Sequence, residues 1–216
     1  MTKQETSTAG NIAIADTLFG DLPLDYWAAV DNNEVPWSLF KAAKKSMNEE
    51  QFGDAAETLS QIISLPGLES RQYLQACYFL QQMGVSASEP LKLYGVVVEV
   101  SIEDGHDLLA VYADHSARYH NYSGSAVIWD SHDNSIAAKI DAILKQGLDI
   151  VAKIGPWKDV RPPAPGVNMA RISFLTSHGL HFGEAPQSVL FNDPMSKAIM
   201  YAMLDMMETL INKVGK

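Results

Sequence analysis

Hydrophobic and polar residues alternate with a period of two through the middle of the chain, which is typical of half-buried β-strands. In the segment 94–102, Val96, Val98 and Val100 fall on one face and Glu99 on the other. The same alternation, interrupted by short turns rich in Asp, Gly and Ser, predicts strands at 94–102, 107–113, 117–122 and 126–129. Loops this short join antiparallel neighbours, so the pattern predicts a four-stranded meander.

Apolar residues recur every three to four positions on either side of this meander, as they do along amphipathic helices. Asn48 and Gln51 have the spacing of a capping box, and Asp193 stands where it can cap the last helix. The spacing predicts helices at 12–19, 37–47, 69–83, 135–154 and 195–214, and one from the Asn48 cap to Pro66. Further strands are expected at 171–176, 180–182 and 188–191, the last two being alternatively one strand broken at Gly183 and Pro186.

The order of elements is helices, four strands, a helix, two or three strands and a final helix, which predicts the α+β class. We expect a mainly antiparallel sheet of five to seven strands, with the meander first, flanked by helices and preceded by an N-terminal helical subdomain. The matching division is a disordered tail at 1–10, a helical subdomain at 11–90 and an α+β domain at 91–216, the last two alternatively forming one continuous domain.

Composition narrows the classes of partner. The 216 residues include 16 Lys and Arg against 26 Asp and Glu, a formal net charge of −10. Because affinity for nucleic acid comes mainly from neutralised phosphates, no nucleic-acid partner is expected. The single cysteine, Cys77, allows no intramolecular disulfide and suits a reducing compartment. No segment reads as a signal peptide or a membrane span, so we expect a cytoplasmic location and no membrane partner.

Sequence motifs for the common chemistries are missing. The chain has no G-x-S-x-G elbow, no Walker A loop, no G-x-G-x-x-G and no C-x-x-C. These absences disfavour common serine hydrolases, P-loop enzymes, nicotinamide enzymes and zinc ribbons, and no cofactor is expected. They favour a protein that is not an enzyme, without excluding an unfamiliar one.

Two groups of polar residues are candidates for chemistry. On the mixed face of the predicted sheet, Glu99 is joined by one of two sets from the third strand, either Arg118, His120 and Tyr122 or Tyr119 and Asn121. In the first case Glu99, Arg118 and His120 are candidates for a ligand-binding or acid–base site, if the strand register brings them together. His178, His181 and Glu184 have the spacing of metal ligands on one helix face. Nearby Gly and Pro residues favour a strand instead, in which positions three apart point to opposite sides, so no metal is expected.

The C-terminal helix and a proline-rich segment are candidates for contact with partners. The apolar band of the helix is too wide to face one sheet, so it is buried on two sides, either by the rest of the chain or by a second subunit or protein partner. The candidate interface residues are Met200, Met203, Leu204, Met207 and Ile211. The segment 161–165 reads as polyproline-like and is either a rigid connector or a ligand of a proline-recognition domain.

The segments Gly95–Val100, Ala113–Tyr119 and Asn121–Gly124, with Ile128–Trp129, resemble a pattern in a family of bacterial proteins that carries no assigned activity. The resemblance spans about residues 70–190 and implies a bacterial, cytoplasmic protein. From the residues themselves we expect a non-enzymatic binding or interaction module that self-associates or docks a protein partner. The alternative is a small-molecule-binding domain or enzyme that uses the mixed polar face of the sheet.

Overall fold

The computed structural model describes residues 14–85 and 89–214. The expected tail at 1–10 and the first residues of the predicted helix 12–19 lie outside them. The strands are β1 (Leu93–Ile102), β2 (Gly105–Tyr112), β3 (Ala117–His120), β4 (Ala126–Trp129), β5 (Met169–Thr176) and β6 (Gly179–Pro186). The helices are a 3₁₀ helix (Ile14–Leu18), α1 (Leu24–Ala28), α2 (Trp37–Asn48), α3 (Phe52–Ile63), α4 (Ser70–Gln82), α5 (Asn134–Val151), α6 (Gln187–Leu190) and α7 (Lys197–Val214).

The strands form one sheet in the order β4-β3-β2-β1-β5-β6, and each neighbouring pair is antiparallel. The first four strands are the predicted meander. α5 then crosses the sheet, so that β5 pairs with the free side of β1 and β6 follows as a hairpin partner. The expected α+β class, with a six-stranded antiparallel sheet and N-terminal helices, is confirmed.

Two local predictions are corrected by the structure. Residues 188–191 form no strand, because β6 ends at Pro186 and the chain turns at once into α6. Proline has no N–H for a strand ladder, and its fixed φ suits entry into a helix. Asn48 does not cap α3 but ends α2, since Glu50 adopts a positive φ of 60° and moves the start of α3 to a cap at Gln51.

The aliphatic face of the sheet packs against α5 and α7. Val96, Val98 and Ile172 on this face meet Ile140 of α5 and Met203 of α7 in one buried cluster. Two polar contacts tie the helices together at their outer side, where the Lys139 ammonium reaches Asp205 and Lys213 pairs with Asp133. The large core of the protein therefore lies between this face and the two long helices.

The opposite, polar face of the sheet is covered by N-terminal elements. Leu18 and Phe19 of the 3₁₀ segment and Leu74 of α4 pack on Val97 and Leu175 of the sheet. The Tyr112 hydroxyl donates to the Leu18 carbonyl at 2.7 Å. α1 to α4 share a further cluster of their own, built around Trp27, Phe40, Leu59 and Phe79.

Candidate functional site

The three residues of the mixed-face hypothesis share one face of the sheet. The register places Glu99 beside Leu108, which in turn lies beside His120, while Arg118 pairs with Ala110 one row away. The structure does not join them in one cluster, because the ionic partner of Glu99 is on the other side of β1. Whether these residues bind a ligand stays a prediction.

Glu99 instead belongs to a buried charge cluster centred on Arg171 of β5. The guanidinium lies 3.4 Å from Glu99, at Nη1 and Oε2, and donates to Glu184 Oε2 through Nε at 2.8 Å and Nη2 at 2.5 Å. Arg171 and Glu99 are each 2% exposed. Burial raises the pKa of Glu99, and the nearby charges of Arg171, Arg161 and His106 partly offset that rise.

The proline-rich connector between α5 and β5 covers this cluster. We call residues 157–165 the strap. Arg171 donates to the carbonyls of Pro162 and Pro163 at 3.1 and 2.7 Å, and the ring of His106 meets the Pro165 carbonyl at 3.0 Å. Because its carbonyls are held by the sheet, the strap acts as a fixed connector, which favours that interpretation over a free proline-rich ligand.

Arg118 and His120 lie at the other end of the polar face. The Arg118 guanidinium pairs with Asp130 at 2.7 Å and donates to the carbonyls of Ala117 and Trp129, which leaves it 7% exposed. Burial lowers the pKa of His120, and the positive charge of Arg118 adds to this effect. The contacts of Arg118 with Trp129 and Asp130 secure β3 against the edge strand β4.

The residues of the metal hypothesis do not converge. His178 lies in the β5–β6 turn, with its ring on the Glu89 carbonyl at 2.9 Å. His181 shares the aliphatic face with Phe174, whereas Glu184 shares the polar face with Arg171. In the part of the chain that the structure describes, no three His, Cys, Asp or Glu residues are grouped so as to hold a metal ion.

A cleft of about 740 Å³ opens beside the strap, and sequence reasoning did not anticipate it. Its walls come from the 3₁₀ segment and the turn after it, from α4, from the strap and from the turn end of the β5–β6 hairpin. Three aromatic side chains line it, Phe19, Tyr78 and Trp157. Its apolar and polar residues include Leu22, Leu74, Leu175, Leu180, Gln81 and Thr176.

An ionic cluster fixes one wall of the cleft. Arg161 of the strap donates to Asp21 Oδ2 through Nε at 2.6 Å and to Asp16 Oδ1 through Nη2 at 2.9 Å, while its guanidinium lies 4.0 Å from the Phe19 ring centroid. Burial works to lower the pKa of Arg161, but hydrogen bonds and charge from Asp21 and Asp16 outweigh it, so the pKa is raised. One cation is thus held between two carboxylates, which leaves a local excess of negative charge.

A buried amide positions the same wall. The Gln75 side chain on α4 accepts from the Leu22 N–H at 2.9 Å and from Trp27 Nε1 at 2.6 Å, and it donates to the Leu22 carbonyl at 2.8 Å. Gln75 is fully buried, so these bonds compete with little water. They attach the turn that carries Asp21 firmly to α4.

The Cys77 thiol also lines the cleft but is poorly disposed to react. Burial raises its pKa to about 11, an effect that a hydrogen bond with Tyr73 partly opposes. The thiolate is the reactive form of cysteine, and a raised pKa keeps it scarce. The side chain therefore contributes an apolar surface to the cleft.

The residues of the C-terminal interface hypothesis divide into two sets. Met200 and Met203 are 1% and 3% exposed in the core beneath α7, so they are not available to a partner on the folded chain. Leu204 and Ile211 are 37% and 45% exposed on the outer side, and Met207 is half-buried between the two sets. The wide apolar band is explained largely by burial within the chain.

Comparisons with known proteins add no family. Neither the known protein-family models nor the curated proteins include a match to this chain. Among residues 14–85 and 89–214, no helix combines the length and apolar character needed to cross a membrane.

Proposed function

We propose that this protein is a cytoplasmic, non-enzymatic binding module that docks a basic, partly apolar segment of a protein partner in the cleft beside the strap. The observation that carries the proposal is the cleft itself: a concave site of about 740 Å³ that combines three aromatic walls with an Asp16–Arg161–Asp21 cluster. Concave, largely preformed sites with a few convergent polar groups are the usual binding sites of proteins.

Charge favours a basic ligand. The charged residues of the lining are three aspartates, Asp16, Asp21 and Asp159, against Lys158 and Arg161. The whole chain is strongly acidic, so its field attracts cations toward the site. Aromatic faces such as those of Tyr78 and Trp157 add a cation–π attraction for Lys or Arg side chains.

The rim of the cleft favours a polypeptide over a small molecule. Val160 is 88% exposed and Trp157 is 42% exposed, and both border the cleft on the strap. Aromatic residues such as Trp157 are enriched in protein–protein interfaces relative to the rest of the surface. A segment that fills the cleft and continues over this rim buries both side chains.

The non-enzymatic part of the proposal is supported by the chemistry of the lining. Among the described residues, the lining contains no histidine, its thiol has a raised pKa, and the Thr176 hydroxyl donates to the Gly179 carbonyl at 2.8 Å. A catalytic nucleophile needs a base within hydrogen-bond reach. These residues form no such pair.

The test is isothermal titration with two matched peptides, acetyl-Lys-Leu-Lys-Leu-amide and acetyl-Glu-Leu-Glu-Leu-amide. We expect the basic peptide to bind and the acidic one not to. Val160→Glu adds a negative charge at a rim position that is 88% exposed. We expect the affinity of this variant for the basic peptide to differ from that of the wild-type protein. Val167→Glu is the control, because Val167 is also exposed but lies outside the lining.

Three results would contradict the proposal: equal binding of both peptides, no binding of either, or equal effects of the two glutamate variants.

The second candidate is a small-molecule-binding domain, since the cleft volume also falls in the range of ligand pockets, roughly 300–1,000 Å³. A small molecule retained by the purified protein in native mass spectrometry would favour that candidate. A small-molecule site on the mixed polar face of the sheet is less favoured, because Glu99 on that face is buried beneath the strap.

A further inference from the structure

α7 carries an exposed stripe on the side opposite to its buried one. We call this the α7 stripe, and its members follow each other at intervals of four, three, four and three residues. At about 100° per residue, they lie within about 40° of one direction on the helix. They are Lys197, Tyr201, Leu204, Glu208 and Ile211.

Two other sides of α7 contact the rest of the chain. Met203, Met206 and Leu210 are buried against the sheet, and Asp205 faces α5 through its contact with Lys139. The α7 stripe carries the large apolar side chains that stay exposed on this helix, with Tyr201 59%, Leu204 37% and Ile211 45% exposed. Such a spacing of apolar residues is the pattern of a helix–helix seam.

The two charged members of the stripe have no ionic partner among residues 14–85 and 89–214. Among the described residues, neither the Lys197 ammonium nor the Glu208 carboxylate forms an ion pair or a side-chain hydrogen bond. They have opposite charge and lie three helical turns apart. A second helix that runs antiparallel can therefore satisfy both at once.

We propose that the α7 stripe is the contact surface between two copies of this chain, related by a two-fold axis near residues 202 and 203. In this register Lys197 meets the partner's Glu208, and the reciprocal pair forms by symmetry. Tyr201 lies against the partner's Leu204. Ile211 lies against the partner's Pro194, next to Met195, whose counterpart in this chain is 41% exposed just before α7.

The register centred near residues 202 and 203 pairs the side chains of the α7 stripe better than one centred near residue 206. Centring the axis near residue 206 instead would place Leu204 opposite the partner's Glu208 and leave Lys197 beyond the partner's helix. Only the first register joins apolar with apolar and cation with anion. The contact is small, so the dimer is expected to be weak and to depend on concentration.

The surface is independent of the proposed peptide site. α7 packs on the aliphatic face of the sheet, whereas the cleft lies on the polar face. Failure of the dimer therefore leaves the peptide proposal untouched, and loss of peptide binding leaves the dimer untouched.

The test is sedimentation equilibrium over a range of protein concentrations, using charge exchange. Lys197→Glu and Glu208→Lys each place like charges at both symmetric contacts, and we expect each to raise the dimer dissociation constant by about tenfold or more. The double variant K197E/E208K restores complementarity, as does an equimolar mixture of the two single variants. Lys145→Glu on the exposed side of α5 makes the same charge change away from the stripe and serves as the control.

Weaker dimers in both single variants, with recovery in the double variant and in the mixture, would support the proposal. A wild-type chain that stays monomeric at every concentration would overturn it. So would single variants that dimerise as well as the control, or a mixture that does not recover. A monomer that instead holds a different protein through this stripe also overturns it, since the proposed occupant is a second copy.

Discussion

Arg171 and Glu184 lie directly opposite each other on β5 and β6, and the arginine donates to one carboxylate oxygen twice, at 2.5 and 2.8 Å. The same guanidinium reaches Glu99 on the far side and two carbonyls of the strap above. One buried cation thus joins three strands and the connector that borders the cleft. Replacing Arg171 tests how strongly the strap depends on this one side chain.

We expect Arg171→Met to lower the free energy of unfolding by about 3–5 kcal/mol, because it leaves the Glu99 carboxylate buried without a counter-charge. Urea denaturation of the variant measures this loss. Adding Glu99→Gln removes the buried charge that has lost its partner. The double variant should therefore lose less free energy of unfolding than the two single variants lose in sum. A loss below about 1 kcal/mol for Arg171→Met would show that the cluster contributes little.

Gly147 permits the close approach of α5 to the sheet. A Cβ at this position would lie 2.8 Å from Leu93 Cδ2 and 3.2 Å from Phe174 Cδ1. We expect Gly147→Ala to destabilise the protein by about 1–3 kcal/mol through overpacking, in spite of the better helix propensity of alanine. Thermal or urea unfolding measures the change.

Gly53→Ala in α3 is the matched control for Gly147→Ala, since its Cβ would meet nothing within 4 Å. We expect this variant to gain up to about 1 kcal/mol in the free energy of unfolding. If both glycine variants shift stability in the same direction, the close approach of α5 is not what requires Gly147.

The Cys77 thiol should react slowly in the folded protein. Its pKa of about 11 leaves on the order of one thiolate in ten thousand at neutral pH. We expect the rate of reaction with Ellman's reagent to rise steeply between neutral and alkaline pH, and to be much faster in urea, where the thiol is exposed. Equal rates in the folded and the unfolded chain at neutral pH would contradict this account.

His181 should make the protein less stable in mild acid. Burial lowers the pKa of its imidazole, and the side chain is 2% exposed, so the unfolded chain binds a proton more readily than the folded one. The contribution of His181 to the free energy of unfolding is therefore fully present above the pKa of the unfolded chain, about 6.5. It is lost as the pH falls from there toward the pKa of His181 in the folded protein. His120, whose pKa is also lowered, contributes in the same direction.

The measurement is urea unfolding at about pH 7.5 and pH 5.5, which compares the two sides of this interval. We expect His181→Gln to reduce the difference in stability between the two conditions. His132→Gln replaces an exposed imidazole in the same way and serves as the control for the substitution itself. A pH dependence that is the same in wild type and His181→Gln would assign the acid sensitivity to other groups.

Secondary structure was largely predictable from the chain, because helix and strand periods are read from residues close together in sequence. The meander, α2, α4 and α5 follow this rule, and β4 coincides with the predicted 126–129. The errors lie where backbone conformation at one residue decides the boundary. Glu50, with its positive φ, moved the start of α3, and Pro186 ended β6.

The candidate sites were much less predictable. Alternation along the strands grouped Arg118 with His120 but left open whether they share the face of Glu99, which the strand register decides. It also could not show that Glu99 pairs with Arg171, 72 residues further along the chain. The cleft combines Asp16, Tyr78 and Arg161, which share no local pattern. A partial signal existed in Arg161 itself, a lone cation within a proline-rich segment of an acidic chain.

By itself, the sequence determined the class of fold, the meander and the faces on which most residues lie, because these depend on short periodic patterns and on turn residues. Only the tertiary structure decided the strand order, the pairing of buried charges, the cleft and the division of the α7 methionines from its exposed stripe. Those features arise from contacts between distant segments, where burial and hydrogen bonding select one arrangement among several that the local patterns allow equally.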